Sequence, residues 1–286
     1  MRPMPPKPGT NVTKQKPGQS TKQFVIEKWD GSKSGEKIII YGETGMGKTT
    51  LCSMAPDPVF IGLDDGGRKL KHPQTGELLK HIPGVITYDD ARAALLACLG
   101  LDCQTVVLDT GTVFQRLAED HVLRTVEVRT QKGQPSVKPD HLEDYGYGKG
   151  YKHLWDAMRR PFLEFDKLIA AGKNIIIIAQ LTSHKHTNDV GEEYWKEGPE
   201  FYHSEKNWSV LKAWCEEADH IFRIRHQQTR VPDKKKKALG DATYVIDTKG
   251  NQTFYAKSRT LDDPVISFST KDDDSLWQLL FGGEEE

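Results

Sequence analysis

A glycine-rich segment that follows an apolar run restricts the possible folds of this chain more than any other feature. Residues 42–49 read Gly-Glu-Thr-Gly-Met-Gly-Lys-Thr and match the pattern G-x-x-x-x-G-K-[ST] at every position. The run before it, Lys37–Tyr41 (KIIIY), is typical of a strand buried on both faces, and Lys48–Met54 predicts a helix. Glycines let successive backbone N–H groups curve around a phosphate, and the start of a helix favours its negative charge. We therefore predict a phosphate-binding loop at the carboxyl end of a buried strand.

Most of the remaining chain alternates short apolar runs with helical patterns. Further strands are predicted at Val59–Gly62, Thr105–Asp109, Asn174–Gln180 and His220–His226. Helices are predicted at Asp89–Leu99, Thr112–Arg129, Gly150–Ala171 and Val210–Ala218. This alternation predicts an α/β fold with a doubly wound, mainly parallel sheet and helices on both faces. Near the carboxyl end, Thr243–Asp247 and Thr253–Ala256 predict a β-hairpin across the turn residues 248–252.

The two ends of the chain differ from its centre in composition. Residues 1–22 are rich in Pro, Lys, Gln, Gly and Thr and contain no acidic residue, which predicts a disordered basic arm. Residues 23–270 are predicted to form one folded core, and residues 271–286 a short helix with an acidic tail. The formal net charge of −1 carries no overall signature of nucleic-acid binding, so a basic binding surface has to be local.

Membrane insertion and disulfide bonding are not expected from the composition. No apolar run approaches the roughly 18 residues that a membrane span needs, and the start of the chain lacks the apolar core of a signal peptide. The four cysteines have no CxxC spacing, which predicts reduced thiols in a cytoplasm and neither disulfides nor a zinc site.

Three side chains carry the expected chemistry at the phosphate loop. Lys48 is predicted to reach the β- and γ-phosphates of a bound nucleotide, and the hydroxyl group of Thr49 is predicted to bind Mg²⁺. Asp109 ends an apolar strand, so it is expected at the carboxyl edge of the sheet, where it can hold the water shell of the same ion. The predicted nucleotide-binding residues are Gly42, Glu43, Thr44, Gly45, Met46, Gly47, Lys48, Thr49 and Thr50.

A general base and a contact to the γ-phosphate are also expected at this edge. Asp64 follows the strand Val59–Gly62 and is the first candidate for the base, with Asp65 and Glu43 as substitutes. Because Asp-Asp-Gly-Gly is also a good turn sequence, a purely structural role stays open. Gln180 ends a later strand, where it can either contact the γ-phosphate or merely cap the strand.

The order of these elements resembles that of the RecA-like recombination ATPases. A phosphate loop, an acidic end of the second strand, a strand ending in Asp109 and a strand ending in Gln180 follow one another as in that family. More narrowly, the chain is similar to the phage-encoded RecA-like ATPases of single-strand annealing and recombination. Tyr145–Tyr151 and Ala256–Arg259 support the resemblance, which extends from Lys37 to Phe268. It implies a RecA-like ATPase core that uses ATP and Mg²⁺ and assembles with itself, with ATP between subunits.

The resemblance also implies roles for individual residues. The usual base in the family is Glu, and Asp64 stands at the matching position with a side chain one methylene shorter, which predicts slower hydrolysis. Lys257-Ser258-Arg259 is similar to the Lys-Asn-Arg motif of the RadA branch-migration ATPase, and such residues reach the nucleotide of the neighbouring subunit. On a strand, Lys257 and Arg259 leave by the same face, where two cations need an opposing anion such as a γ-phosphate. Two solvated surface cations are the alternative.

Two long connections match the DNA-contacting loops of the family. Residues 181–207 and 130–149 are longer than most ordered loops. The first mixes aromatic and cationic residues, which suits single-stranded DNA, but it also contains glutamates that would repel a phosphate backbone. These residues are Lys185, Lys196, Lys206, His184, His186, His203, Tyr194, Trp195, Phe201, Tyr202 and the adjoining Trp208, with Glu192, Glu193, Glu197, Glu200 and Glu205. A loop that packs its own aromatic rings against the domain is the alternative. The second loop contains Arg129, Lys132, Lys138 and Lys149 with Tyr145 and Tyr147, and the same two interpretations apply to it.

Two smaller patterns have weaker implications. The run Lys234–Lys237 is usually a solvated turn but can also follow phosphates. His184-x-His186 would suit a metal, but no third and fourth ligand follow at a defensible spacing, so no metal is expected there.

The sequence is compatible with several functions. The first is an ATPase that binds single-stranded DNA, assembles into a ring or filament, and promotes annealing or strand exchange, with a single-strand-binding or annealing protein as a candidate partner. The second is an ATP-gated DNA-binding module with little turnover, and the third is a helicase or helicase loader. A small-molecule phosphotransferase is disfavoured because the long loops are aromatic and acidic, without an arginine-rich lid. The expected location is the cytoplasm of a bacterial host.

Overall fold

The computed structural model of the protein describes residues 34–64, 66–128, 137–227, 244–268 and 272–282. The predicted basic arm, Asp65, the run Lys234–Lys237 and the acidic tail lie outside the described residues. Among the described residues, no helix combines the length and hydrophobicity that crossing a bilayer requires.

The fold is built on a twisted sheet that has eight strands within the described part of the chain. The spatial order is β2-β3-β4-β1-β6-β7-β8, and β5 pairs with β4 outside this row. The strands β2, β3, β4, β1 and β6 are parallel, whereas β7 and β8 continue the sheet in antiparallel fashion. In chain order they are β1 (Lys37–Gly42), β2 (Pro58–Gly62), β3 (Thr105–Asp109), β4 (Asn174–Thr187), β5 (Glu193–Pro199), β6 (His220–His226), β7 (Tyr244–Asp247) and β8 (Val265–Phe268).

Helices cover both faces of the sheet because the central strands are apolar on both sides. On β1, Ile39 and Tyr41 pack against α2 to α6, while Ile38 and Ile40 pack on the side of α1 and α7. The helices are α1 (Lys48–Ser53), α2 (Tyr88–Ala97), α3 (Gly111–Thr125), α4 (Lys149–Arg159), α5 (Phe162–Ala170), α6 (Val210–Glu217) and α7 (Ser275–Phe281). The predicted fold class, a doubly wound and mainly parallel α/β sheet, is therefore confirmed.

Two predicted elements have different lengths in the structure. The helix predicted over Gly150–Ala171 is two helices, α4 and α5, separated at Pro161, whose ring removes a backbone donor and clashes with the preceding turn of a helix. The strand β4 does not end at Gln180. Residues 181–187 continue it and pair with β5, so most of the predicted long loop is an antiparallel hairpin, which we call the β4–β5 hairpin (residues 181–199).

The predicted carboxyl-terminal hairpin exists, but its second strand was wrong. β7 pairs with β8, and not with Thr253–Ala256. Residues 253–257 instead cross from β5 to β6, with bridges from Phe254 to Glu197 and from Lys257 to Ile221. The turn before this segment is closed by Asn251, whose side-chain oxygen accepts hydrogen bonds from the backbone of residues 253 and 254. We call residues 253–257 the crossing segment.

Candidate nucleotide-binding site

The phosphate loop joins β1 to α1 and has the backbone shape that its glycines permit. Gly45 and Gly47 have φ values of 85° and 81°, in the left-handed region that side chains disfavour. Gly42 ends β1, where an added Cβ would lie 2.6 Å from the carbonyl oxygen of Ile224 on β6. These backbone positions place the start of α1 directly above the carboxyl edge of the sheet.

The Lys48 side chain is buried and folds back over the loop. Its Nζ donates hydrogen bonds to the carbonyl oxygens of Gly42 and Glu43, both at 2.8 Å, and to Oε1 of Gln180 at 3.1 Å. Burial lowers the pKa of the ammonium group, and the nearby Asp109 carboxylate opposes that shift. A phosphate oxygen would give this partly desolvated cation an anionic partner.

Thr49 and Asp109 form the second half of the site. The hydroxyl group of Thr49 donates to Oδ2 of Asp109 at 2.9 Å, which joins the first turn of α1 to the end of β3. Burial raises the pKa of Asp109 to about 6, while the hydrogen bond from Thr49 acts in the opposite direction. A hydroxyl oxygen and a carboxylate are ligands that suit Mg²⁺, which usually takes few protein ligands and completes its shell with waters and phosphates.

This donor set fits magnesium better than a metal held by protein alone. Within the described ranges, no group of three or more His, Cys, Asp or Glu side chains is arranged to hold a metal ion. Thr49 and Asp109 would thus hold the ion together with phosphate oxygens, as is common for Mg²⁺.

Gln180 lies beside the phosphate loop because β4 is inserted between β1 and β3. It is the register partner of Gly42, and its side-chain oxygen accepts hydrogen bonds from Lys48 and from the hydroxyl group of Thr44 at 3.3 Å. Its backbone N–H donates to the hydroxyl group of Thr112 at 3.1 Å. The contact of Thr112 with Gln180 was not predicted from the sequence, although a helix was predicted to begin at Thr112.

Asp64 lies two residues beyond β2, and its role as the base stays a prediction. Its Oδ1 accepts a hydrogen bond from the backbone N–H of Gly66 at 2.9 Å, as expected for a turn. Its charge also raises the pKa of both Asp109 and Lys48, which places it electrostatically within the site. Glu43 is exposed on the loop, and Asp65 lies outside the described residues.

A cavity of about 560 Å³ adjoins Asp64 and Asp109 and was not predicted. Its outer wall comes from the connection between β2 and α2, where residues 80–82 run alongside β2. Phe60 donates its N–H to the carbonyl oxygen of Lys80 and accepts a bond from the N–H of Ile82, both at 2.9 Å. No sequence pattern at residues 66–87 signals this added edge, because only two backbone hydrogen bonds create it.

Lys257 and Arg259 lie away from the phosphate loop of their own chain. Nζ of Lys257 donates to the carbonyl oxygens of Cys215 and Glu216 at 3.0 and 3.4 Å. Arg259 forms an ion pair of 3.2 Å with Asp219, whose carboxylate accepts the N–H of Lys37 at the amino end of β1. Both cations thus have partners at the sheet edge opposite to Gly42, and a role at the nucleotide of a neighbouring subunit stays a prediction.

The aromatic residues of the predicted DNA loop divide into two groups. Phe201 is buried in the core, and Tyr202 stacks on Tyr151 with 4.4 Å between the ring centroids. Trp195 on β5 is 65% exposed. Lys185 forms an ion pair of 2.6 Å with Glu193 across the hairpin. The alternative of a loop that packs its own rings therefore holds for part of the segment, and the β4–β5 hairpin presents the rest to solvent.

The second predicted DNA loop is described only from residue 137 onward. Tyr145 is buried and donates its hydroxyl group to the carbonyl oxygens of Val122 and Val126, at 3.1 and 2.6 Å. Tyr147 is fully exposed. Lys138 and Lys149 are exposed, whereas Arg129 and Lys132 lie outside the described residues.

A strand, a glycine-rich loop with a buried lysine, and a threonine bonded to a strand-terminal aspartate define a P-loop nucleoside triphosphatase. The comparison with known families agrees, since residues 34–260 match the AAA_24 family, described as an AAA domain. The chain belongs to this family of ATPase domains.

Comparisons with individual proteins add little to this assignment. No curated protein sequence is significantly similar to the chain. The flagellar accessory protein FlaH from Methanocaldococcus jannaschii aligns with 82% of this chain and 85% of its own at 12% identity and a TM-score of 0.39. A KaiC-like protein from Pyrococcus horikoshii OT3 aligns with 82% of this chain and 90% of its own at 9% identity and a TM-score of 0.38.

Proposed function

We propose that the protein is a RecA-like ATPase that binds ATP with Mg²⁺, binds single-stranded DNA on the β4–β5 hairpin, and promotes recombination by annealing or strand exchange. A phage origin, action in the bacterial cytoplasm, and a single-strand-binding or annealing protein as partner belong to the same proposal. The observation that carries it is the hydrogen bond of 3.1 Å between Lys48 and Gln180.

That hydrogen bond connects the phosphate site to the proposed DNA surface through one continuous strand. Gln180 is the last residue of β4 that pairs with β1, and the next residue, Leu181, already pairs with β5. If Lys48 exchanges Gln180 for a phosphate oxygen, the change therefore affects Gln180, the residue immediately before the β4–β5 hairpin. The exposed Trp195 on β5 offers a ring on which a single-stranded base can stack.

Each residue of the proposed site has its own role in ATP hydrolysis. Lys48 neutralises charge on the β- and γ-phosphates. Gln180 gives up its hydrogen bond with Lys48 and contacts the γ-phosphate instead. Thr49 and Asp109 hold the metal ion, and Asp64 orients the attacking water. The ion, when bound, neutralises charge that develops on the phosphate oxygens.

Self-assembly completes the proposed site. Arg259 lies at the sheet edge opposite to the phosphate loop of its own chain, with its side chain 62% exposed. In a ring or filament, that edge of one subunit is available to the nucleotide of the next. The four cysteines are buried free thiols, which supports a reducing compartment.

The test is the rate of ATP hydrolysis with and without single-stranded DNA, for the wild-type protein and Lys48→Ala. We expect DNA to stimulate the wild-type rate, and Lys48→Ala to lose at least about 100-fold because charge stabilisation at the γ-phosphate is removed. Trp195→Ala is expected to retain the rate without DNA and to lose the stimulation. Equal wild-type rates with and without DNA would contradict DNA coupling, and full activity of Lys48→Ala would contradict the site.

A second function, an ATP-gated DNA-binding module with little turnover, is favoured by one observation. The Asp64 side chain is one methylene shorter than Glu, and its oxygen is engaged by the N–H of Gly66 in a turn. A carboxylate held in this way reaches the attacking water less well. For this second function we expect Asp64→Glu to raise the rate of hydrolysis. We also expect the DNA affinity of the wild-type protein to depend on ATP although its turnover is negligible.

A further inference from the structure

Two tryptophans from different elements meet at the surface beside the start of α6. Trp155 on α4 and Trp208 in the connection to α6 have ring centroids 5.3 Å apart, and Trp208 is 38% exposed. The two rings line a shallow cavity of about 250 Å³. This volume lies below the roughly 300–1,000 Å³ that is usual for sites of whole small molecules, so the cavity suits a single planar group such as a nucleobase.

The backbone at Trp208 is strained. Its φ value of 51° lies in the left-handed region, which bulky side chains rarely adopt. Hydrogen bonds on both sides fix this conformation. Before it, the N–H of Asn207 donates to Oγ of Ser204 at 3.3 Å, and after it, Oγ of Ser209 caps α6 by accepting the N–H of Lys212 at 3.1 Å. Strained backbone of this kind clusters at functional sites, where it presents a side chain to a ligand.

Cations surround the two rings. The guanidinium group of Arg159 lies 4.3 Å from the centroid of one ring, and Nζ of Lys152 lies 5.5 Å from the centroid of the other. Lys206 and Lys212 are exposed and line the same cavity. Aromatic rings among cations suit single-stranded nucleic acid, because bases stack on rings while cations hold phosphates. We call this group the tryptophan notch, which consists of Lys152, Trp155, Arg159, Lys206, Trp208 and Lys212.

The cations of the notch outnumber the carboxylates near them. Glu205 and Glu216 also line the cavity, and Asp156 forms an ion pair of 3.8 Å with Lys152. Glu205 accepts hydrogen bonds from the N–H and the hydroxyl group of Thr187, so its charge is engaged by the end of β4. Four cations thus face three carboxylates, of which one is held away by the hairpin.

The notch is continuous with the proposed DNA surface on the β4–β5 hairpin. Residues 204–206 line both its cavity and a second depression of about 410 Å³, whose other wall includes Lys185 and Glu193 of the hairpin. Lys185 is the register partner of Trp195, so the two side chains leave the hairpin by the same face. A single strand that stacks on Trp195 can therefore pass Lys185 and residues 204–206 and reach Trp208.

We propose that the tryptophan notch binds the continuation of the single strand that occupies the hairpin, with one nucleobase stacked on Trp208 and the flanking phosphates held by Lys206 and Lys212. The inference rests on the proposed function and adds a second stacking site outside the hairpin. Because neither stacking nor phosphate contacts read the edges of the bases, the notch accepts any base sequence.

The test is the affinity for fluorescently labelled oligothymidylate, measured by anisotropy with Mg²⁺ and ATP over a series of salt concentrations. We expect Trp208→Ala to weaken binding about tenfold, a usual loss for one stacked base, and Trp208→Phe, which keeps a ring, to stay within about threefold of the wild-type protein. Leu163→Ala removes an exposed apolar side chain from α5 and is the matched control, with unchanged affinity.

Removal of charge gives a readout that a folding defect does not imitate. For the double variant Lys206→Ala/Lys212→Ala, we expect the slope of log affinity against log salt concentration to become shallower by about 1.4, because each phosphate contact on a single strand contributes about 0.7. The control is Lys71→Ala/Lys167→Ala, which removes two exposed lysines from the connection after β2 and from α5. It is expected to keep the wild-type slope.

The outcomes distinguish this inference from the proposed function. If Trp195→Ala weakens binding while Trp208→Ala and the double variant at residues 206 and 212 bind like the wild-type protein, the notch is overturned and the hairpin stands. Weaker binding by the notch variants, with wild-type affinity of Trp195→Ala, supports the notch and overturns the hairpin as the DNA surface. A wild-type protein that binds no single-stranded DNA would overturn both.

Discussion

At the scale of single residues, Asp109 is a carboxylate that the fold holds in an unfavourable environment. It is 4% exposed, and burial raises its pKa to about 6. The folded state therefore binds a proton on this group more tightly than the unfolded state does. The contribution of protonated Asp109 to the free energy of unfolding is fully present below about pH 4 and is lost as the pH rises through about 6. A bound cation would relieve this cost, which links stability of the fold to its ligand.

Replacing this carboxylate tests the argument. Asp109→Asn is expected to stabilise the unligated protein at pH 8 by about 1–3 kcal/mol, because the difference between a pKa of 3.8 and one of about 6 corresponds to about 3 kcal/mol. Urea unfolding at pH 8 and at pH 4.5 measures the effect, which shrinks at the lower pH. The same variant loses hydrolysis that depends on Mg²⁺.

Asp189→Asn, at an exposed turn of the β4–β5 hairpin, is the control for the loss of one negative charge. We expect its unfolding free energy to change by less than about 0.5 kcal/mol at either pH. An Asp109→Asn variant that is destabilised at pH 8 would show that the interactions of the charged carboxylate with Thr49 and Lys48 outweigh the cost of burying it.

At the scale of elements, the crossing segment attaches the base of the β4–β5 hairpin to the sheet. Tyr41 on β1 is fully buried and donates its hydroxyl group to the carbonyl oxygen of Tyr255 at 2.5 Å. Arg223 on β6 lies over the Phe254 ring, pairs with Asp247 at 3.0 Å, and also pairs with Glu197 on β5. The hairpin is thus held from two sides, by its own strand β4 and by the crossing segment.

Removing one hydroxyl group tests this attachment. Tyr41→Phe is expected to lower the unfolding free energy by about 1 kcal/mol, because the carbonyl group of Tyr255 loses its donor in a buried site. Burial raises the pKa of Tyr41, so the hydroxyl group remains a donor at neutral and mildly alkaline pH. Amide hydrogen exchange is expected to accelerate in residues 253–257 and in β5.

Tyr147→Phe removes the same hydroxyl group from a fully exposed ring and serves as the control. It is expected to leave both unfolding and exchange unchanged. If Tyr41→Phe accelerates exchange uniformly through the sheet, the bond contributes to global stability and does not specifically hold the crossing segment.

At the scale of the whole molecule, the two ends of the parallel strands have different roles. The phosphate loop, Asp109 and Gln180 meet at the carboxyl edge, whereas Arg259 and Asp219 lie at the amino edge. One molecule therefore cannot bring both sets of residues to one nucleotide without a large rearrangement. The proposed self-assembly would bring the two sets together from neighbouring copies of the chain.

Mixing two inactive variants tests whether subunits share a site. Arg259→Ala alone is expected to lose most hydrolysis but less than about 1 kcal/mol of stability, because its ion pair is exposed. When it is mixed with Lys48→Ala, we expect part of the activity to return, because the proposed mixed assemblies would contain interfaces with an intact phosphate loop and an intact arginine. The measurement is the rate against the ratio of the two proteins at constant total concentration.

The control is the double variant Lys48→Ala/Arg259→Ala mixed with Lys48→Ala, which has no intact phosphate loop and is expected to stay inactive. Wild-type activity of Arg259→Ala at every protein concentration would contradict a role of Arg259 in a neighbouring site. The function of Arg259 would then be limited to its ion pair with Asp219.

Much of the site was accessible to sequence reasoning because it depends on local chemistry. Glycine conformations predict the phosphate loop. Short apolar runs, which are buried on both faces, predict the parallel strands and the position of Asp109 at the end of one of them. Gln180 and Asp109, predicted from strand ends far along the chain, are hydrogen-bonded to the loop residues Lys48 and Thr49, respectively. The wrong strand of the carboxyl-terminal hairpin shows the limit, because Thr253–Ala256 has a strand-like composition but pairs according to what lies beside it.

The order of residues along the chain thus accounts for the backbone shape of the phosphate loop, for the position of Asp109 at a strand end and for the class of fold, since these depend on contacts close in sequence or on a repeating pattern of burial. Other features depend on which elements become neighbours in space. The insertion of β4 between β1 and β3, the continuation of that strand into a hairpin, and the cavity walled by residues 80–82 each come from pairings between distant segments. Such pairings are selected by the combined packing of the whole sheet, and no short stretch of sequence contains that information.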